Sequence, residues 1–157
     1  MSTKVEAALL WLQALLESRN IEYQVVGGFA ATIHGGSREV ADIDLYIARS
    51  DIEVLLPSLE PYISKPLAHY IEGSWDLEYL QLIYQTQKIE IGLSPGTKIQ
   101  SATDNTWHEL AIDYSTSVIK RYHGIDVPVM SIAQLIHYKR ILGRDVDLFD
   151  VKALECL

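Results

Sequence analysis

The sequence contains one cysteine, Cys156, so no disulfide can form within the chain, and such usage suits a reducing compartment such as the cytoplasm. With no second cysteine, and with His34, His108, His123 and His137 sharing no metal-ligand spacing, a structural zinc site is not expected. Long apolar runs are absent too. None approaches the ~18 residues that a membrane span needs, so no membrane association is expected. The first six residues, Met1 to Glu6, include an acid and lack a small-residue cleavage site, which is not the pattern of a signal peptide. Positive charge is scarce. Thirteen Lys and Arg stand against 21 Asp and Glu, giving a net charge of −8. A surface that acidic repels a phosphate backbone, which disfavours non-specific DNA binding. A small phosphate ligand held by local donors is compatible with it, as is a site whose carboxylates hold cations. Finally, the glycine patterns of Walker-type and dinucleotide-binding loops are both missing.

What is present is the balance of a globular protein: 48% hydrophobic and 22% charged residues in a chain of 157. Residues 1–157 are read as a single domain. Thr3-Lys4-Val5-Glu6 has the form of a capping box opening a helix over 4–19, whose dense apolar run at 7–16 predicts packing on more than one side. Tyr23 to Val26 reads as a strand entering a turn at Gly27-Gly28; Phe29 to His34 reads as a short helix broken by Gly35-Gly36-Ser37. Asp42 to Ile47 is a second strand, and Ser50-Asp51-Ile52-Glu53 a second capping box, opening a helix that Pro57 is expected to end or bend. Strands follow at 77–84 and 88–93, joined by a Gln-Thr-Gln turn, then a loop at Ser94-Pro95-Gly96. Residues 98–116 carry no clear pattern. A β pair at 117–122 and 125–129 precedes two terminal helices, 131–142 and 145–157, separated by Gly143-Arg144. This order predicts an α/β (α+β) fold: a mixed sheet flanked by helices, with a C-terminal helix pair.

Within the second strand, alternation puts Asp42 and Asp44 on one face and Ile43, Leu45 and Ile47 on the other. Two ionised acids side by side repel, and burying them uncompensated costs roughly several kcal/mol. A divalent cation compensates: Mg²⁺ takes one or two carboxylates together with phosphate oxygens and water, and two such ions about 4 Å apart clamp an in-line phosphoryl displacement. An exposed edge strand, or hydrogen bonds from a nearby loop, would equally account for an isolated Asp-x-Asp. Gly27-Gly28 at a helix start lets backbone amides approach phosphate oxygens, though a plain turn fits the pair as well. Arg38, in the loop entering the strand, could pair with a triphosphate or with Asp42. Glu90, in Lys88-Ile89-Glu90-Ile91-Gly92, is flanked by β-branched residues in an expected strand and suits a third metal ligand and general base. The alternative is a solvent-facing glutamate.

Together, Gly27-Gly28-Phe29-Ala30, His34-Gly35-Gly36-Ser37-Arg38 and Asp42-Ile43-Asp44-Leu45, followed by a lone acid on a later strand, form a pattern. It resembles the nucleotidyltransferase superfamily related to DNA polymerase beta, especially small bacterial members such as the AbiEii-type toxin transferases and the lincosamide nucleotidyltransferases. Leu135-Ile136-His137-Tyr138-Lys139, Gly143-Arg144-Asp145-Val146-Asp147 and Asp150 are similar to the terminal helices of that group. The resemblance implies transfer of a nucleoside monophosphate from an NTP to an acceptor (a small molecule, tRNA or protein), with release of pyrophosphate. It implies Asp42, Asp44 and Glu90 as catalytic, Mg²⁺- or Mn²⁺-binding residues, and Gly27, Gly28 and Arg38 as nucleotide-binding ones. Two positions depart from the pattern: Val40 stands where several relatives have threonine, and Glu90 where aspartate is common.

Outside this pattern, Lys139 and Arg144 could reach a phosphate but read better as helix surface charge. Tyr70, Trp75, Tyr79 and Tyr84 read as core and sheet packing rather than as a base-stacking surface, with Tyr79 sharing the face of Leu77. Asp145, Asp147 and Asp150 lack the glycine and terminal glutamate of a calcium loop. A homodimer or partner protein could complete the acceptor side, since no second domain is evident. Two rival readings stand beside the transferase: a non-catalytic nucleotide-binding or toxin–antitoxin-type interaction protein on the same fold, and an unrelated α/β protein whose acids are structural.

Overall fold

The computed structural model describes residues 3–157, with side chains from residue 4 onward. Its elements are α1 (Thr3–Ser18), β1 (Tyr23–Val26), α2 (Gly27–Ile33), β2 (Asp42–Ala48), α3 (Ile52–Leu59), β3 (Ile63–Glu72), β4 (Trp75–Tyr84), β5 (Gln87–Ser94), β6 (Lys98–Gln100), β7 (Trp107–Glu109), β8 (Val118–Tyr122), β9 (Ile125–Val129), α4 (Ile132–Leu142) and α5 (Asp145–Glu155). The strands form one nine-stranded sheet in the order β7-β6-β4-β5-β2-β1-β9-β8, with β3 paired to β4. It is mixed, as expected: β2 runs parallel to β5 and β1 to β9, and the remaining pairs are antiparallel.

Register explains the core. Ile43 lies beside Ile89 and Leu45 beside Ile91 across β2 and β5, while Leu82 and Leu80 continue the two rows on β4. All six are at most 1% exposed. Burying each such side chain contributes about 1.5–3 kcal/mol, so this layer holds the three central strands in one register. α1 covers the same face: Trp11 stacks on Tyr84 with ring centroids 4.5 Å apart. The opposite face of β2 and β5, bearing the acids, is bordered by α2, α4 and α5, which contact one another.

α1 buries the stripe Val5, Ala8, Leu9, Leu12 and Leu16 at helical spacing; Trp11 on one flank packs on Tyr62 and Tyr84, and Gln13 on the other donates to Tyr23 Oη, so the helix packs on more than one side, with Leu10 exposed. Other expectations are corrected. The Thr3 half of the first capping box lies outside the described side chains. No side chain caps α3, and Pro57 stands inside that helix, which continues to Leu59. α2 begins at Gly27, so the glycines form its first turn rather than a loop before it. β3 was not expected from sequence at all. It pairs on one side only, and its register shifts between Ile63 and Lys65 and again between Lys65 and Ala68. An irregular edge strand tolerates Pro66, which would break a central ladder. Within 98–116 lie the short pair β6 and β7. No described helix is long and apolar enough to cross a membrane.

Candidate active site

β2 and β5 are in register at Asp44 and Glu90, and Asp42 lies one pleat away on the same face. One carboxylate oxygen from each of the three comes within 4.8 Å of the others. A short parallel pairing thus gathers acids 46 and 48 residues apart in sequence, because period-two alternation commits both strands to the same face once their apolar rows pack below. Gln81 of β4 lies next to Glu90, its Nε2 3.4 Å from Glu90 Oε2.

The positive charge at this point is small. Lys88 Nζ stands 3.5 Å from Asp42 Oδ2. Asp44 Oδ1 is buried with no hydrogen-bond partner. Burial raises the Asp44 carboxyl well above its usual range, with Glu90 and Asp42 adding to the rise and Lys139 opposing it. Burial also raises Asp42, against the pull of Lys88. An orphaned carboxylate oxygen beside two further acids is the electrostatic condition that a hard divalent cation relieves, and an all-oxygen donor set suits Mg²⁺ or Mn²⁺. The residues present fit such an ion.

The three acids open into a cleft of about 390 Å³. Gly27 borders it in the left-handed region, φ +69°, and a β-carbon there would come 2.7 Å from Asp44 Oδ2. Its N–H donates to Tyr138 Oη on α4 at 2.8 Å, so of the two glycine amides expected to face a phosphate, this one is already engaged. The Arg38 guanidinium fills the space beside Gly28 where a β-carbon would stand. Arg38 does not pair with Asp42, as was one expectation. It donates through Nε and an Nη to Asp150 of α5 at 3.0 and 2.8 Å.

Lys139 is corrected more sharply. Rather than surface charge it is 3% exposed, with Nζ 2.9 Å from Asp150 Oδ2 and 3.8 Å from Asp147 Oδ1. Arg144 is half-exposed and pairs with Asp147; its guanidinium lies 6.0 Å from the centroid of Trp75. Asp147 and Asp150 are therefore buried counter-ions, and Lys139, Arg144 and Asp147 line the same cleft as the acids. This set carried a legible signal. Lys139 falls at i+4 between Leu135 and Leu142, and Asp147 and Asp150 at i and i+3 before Leu154, all on the stripes that helical period turns inward. The aromatic residues divide. Tyr84 packs on Trp11 and Tyr62, whereas Trp75 and Tyr79, with Leu77, line the cleft.

No protein-family model and no curated protein matches the sequence. Solved structures do match in fold. TM1012 of Thermotoga maritima, whose own nucleotidyltransferase assignment is provisional, superposes with a TM-score of 0.75 at 19% identity, over 97% of this chain and 92% of that one. The lincosamide antibiotic adenylyltransferase LnuA, solved with lincomycin, gives 0.62 at 19% identity over 96% of both chains. ANT(2'')-Ia, solved with adenylyl-2''-tobramycin, gives 0.59 at 13% identity over 96% of this chain and 87% of its own. With a mixed sheet, an acid-bearing central strand pair and a C-terminal helix pair, the chain adopts the fold of the small nucleotidyltransferases.

Proposed function

We propose that this protein is a nucleotidyltransferase that moves a nucleoside monophosphate from an NTP to an acceptor and releases pyrophosphate, using Mg²⁺ or Mn²⁺ held by Asp42, Asp44 and Glu90. The observation that carries the reading is the convergence of those three carboxylates around a buried oxygen of Asp44 that no protein group satisfies. Divalent cations bound there would supply the charge that screens the triphosphate and the transition state.

The chain's own residues do the positioning. The Asp44 carboxylate lies beside Gly27 and Glu90 and lines the cleft. Glu90, one strand away, is the group suited to accept the proton of an attacking hydroxyl. The Gly28 amide, at the start of α2, and the Arg38 guanidinium beside it present donors to phosphate oxygens. A cleft of about 390 Å³ lies at the low end of the range for one small ligand, so the acceptor would approach from the open side, past Trp75 and Tyr79. That two matching folds belong to antibiotic adenylyltransferases supports a small hydroxylated molecule as the first acceptor class to try; tRNA, protein and a homodimeric arrangement belong to the same test. The cytoplasm is the setting this reading implies.

The test is incubation with each α-labelled NTP, Mg²⁺ or Mn²⁺ and a cell extract, with Asp42→Ala as the blank. Label should enter a small-molecule, RNA or protein fraction only with the intact triad. If the wild type gives no label and no pyrophosphate, and a Mg-ATP thermal shift survives Asp44→Asn, the protein binds nucleotide without transferring it. If neutralising Asp42 and Asp44 together leaves Mg²⁺ affinity unchanged, the acids are structural.

A further inference from the structure

α5 turns one face inward and leaves the other uncovered. Asp147, Asp150, Val151 and Leu154 are buried at helical spacing, and the helix packs on α4 and α2. On the opposite face Asp145, Leu148, Phe149 and Lys152 follow at intervals of three and four residues and form one exposed stripe. Leu148 and Phe149 are 49% and 53% exposed, and Val146 beside them is exposed as well. Neighbouring exposed apolar side chains mark a contact surface, where scattered single ones do not. The charges closing the stripe are unclaimed too. Elsewhere in the helix pair Lys139 is held by Asp150, Arg140 by Glu155 and Arg144 by Asp147. Among the described residues, neither Asp145 nor Lys152 has an ionic partner.

We propose that this stripe docks on a second copy of the chain, with the two α5 helices antiparallel about a two-fold axis that passes between Leu148 and Phe149. The order of the charges selects both the occupant and its direction. Such an axis sets Leu148 against the partner's Phe149 and Asp145 against the partner's Lys152, and symmetry repeats both contacts. An apolar centre is then closed at each end by an ion pair. Parallel pairing would instead set Asp145 against Asp145 and Lys152 against Lys152, and would align the two helix dipoles; both repel. A net charge of −8 on each chain opposes association overall, so contact is favoured only where a cation meets an acid, as it does here. A pair of 11-residue helices falls at or under the low end of the roughly 1,200–2,000 Å² that stable complexes bury. The dimer should therefore form at micromolar concentrations. Val146, on the flank of the stripe, also lines the cleft, which sets the second copy at its rim.

The experiment is sedimentation velocity of the full chain over micromolar to sub-millimolar concentrations. Wild type should pass from monomer to dimer across that range. Phe149→Glu changes an exposed side chain, so it should fold, as circular dichroism checks, and should stay monomeric. Asp145→Lys and Lys152→Glu should each weaken the dimer about fivefold or more, because each reversal turns two attractions into two repulsions. The double variant Asp145→Lys with Lys152→Glu should return to within about twofold of wild type. That recovery is the signature of the antiparallel register: in a parallel pair, neither reversal creates or removes a repulsion. A wild type that stays monomeric throughout overturns the proposal and leaves the stripe to a different protein or to solvent. A dimer indifferent to Phe149→Glu overturns it too, as does a double variant no tighter than its single parents. Nucleotidyl transfer plays no part in these readouts, so the transferase reading stands or falls separately.

Discussion

Gly27 and Asp44 stand so close that a β-carbon on Gly27 would lie 2.7 Å from Asp44 Oδ2. The first residue of α2 and the central acid of β2 therefore occupy one space, and only glycine leaves room for the carboxylate. Gly27→Ala meets both this clash and a left-handed backbone, which costs an L-residue about 1–2 kcal/mol. We expect a lower melting temperature and at least tenfold weaker Mn²⁺ binding, read by calorimetry. Unchanged Mn²⁺ affinity would show that the Asp44 oxygen is not where the ion sits.

Asp44→Asn tests the compensation argument. Burial raises the Asp44 carboxyl well above 3.8, so the folded state favours its neutral form. Its contribution is fully present below the unfolded value and is lost as pH rises through the folded one. Without metal, wild-type stability should therefore decline on going up from about pH 4 toward neutrality at this group. Asp44→Asn should be more stable at pH 7 by at least about 1 kcal/mol, since one pK unit is worth about 1.4 kcal/mol. Adding Mg²⁺ should reverse the order, because an ion at a hundred times its Kd stabilises by about 2.7 kcal/mol, and EDTA should restore it. Urea titrations with and without Mg²⁺ check both signs.

Asp150 behaves in the opposite way. Burial alone would raise it, but Arg38 and Lys139 outweigh burial and hold it below 3.8. Its stabilisation is present above the unfolded value and lost as pH falls through the folded one, so it contributes at neutral pH and fades below about pH 4. Asp150→Ala leaves Lys139 buried without its nearest counter-ion and should cost about 3–5 kcal/mol at pH 7. That cost should shrink toward pH 3 in denaturant titrations.

Tyr138→Phe removes the acceptor of the Gly27 N–H. Losing one such bond should cost about 1 kcal/mol of stability, measured by thermal unfolding. If the hydroxyl also anchors the turn against Asp44, Mn²⁺ affinity should fall with it, whereas a purely structural bond would lower the melting temperature alone.

Local pattern carried the strand pair and the acids. Asp42, Asp44 and Glu90 were legible because alternation in a strand is a local rule, and the isoleucines between the acids show which face is buried. The terminal helices were legible too, from the break at Gly143-Arg144 between them. β3 was not, since its Pro66 and bulges are tolerated only because its partner lies on one side, a fact about neighbours. The capping of α3 was misread because it depends on what a side chain meets.

The amino-acid sequence alone determined which residues share a face of the sheet: acids on one side of β2 and β5, aliphatic side chains on the other. Only the tertiary structure decided who meets whom. Arg38 reaches Asp150, 112 residues away, and Lys139 becomes a buried cation at the cleft instead of a solvated one. Periodicity is written in consecutive residues, so it can be read from them. Charge pairing across a cleft depends on the distance between elements that the sequence separates, and only the packing of α4 and α5 against the sheet sets that distance.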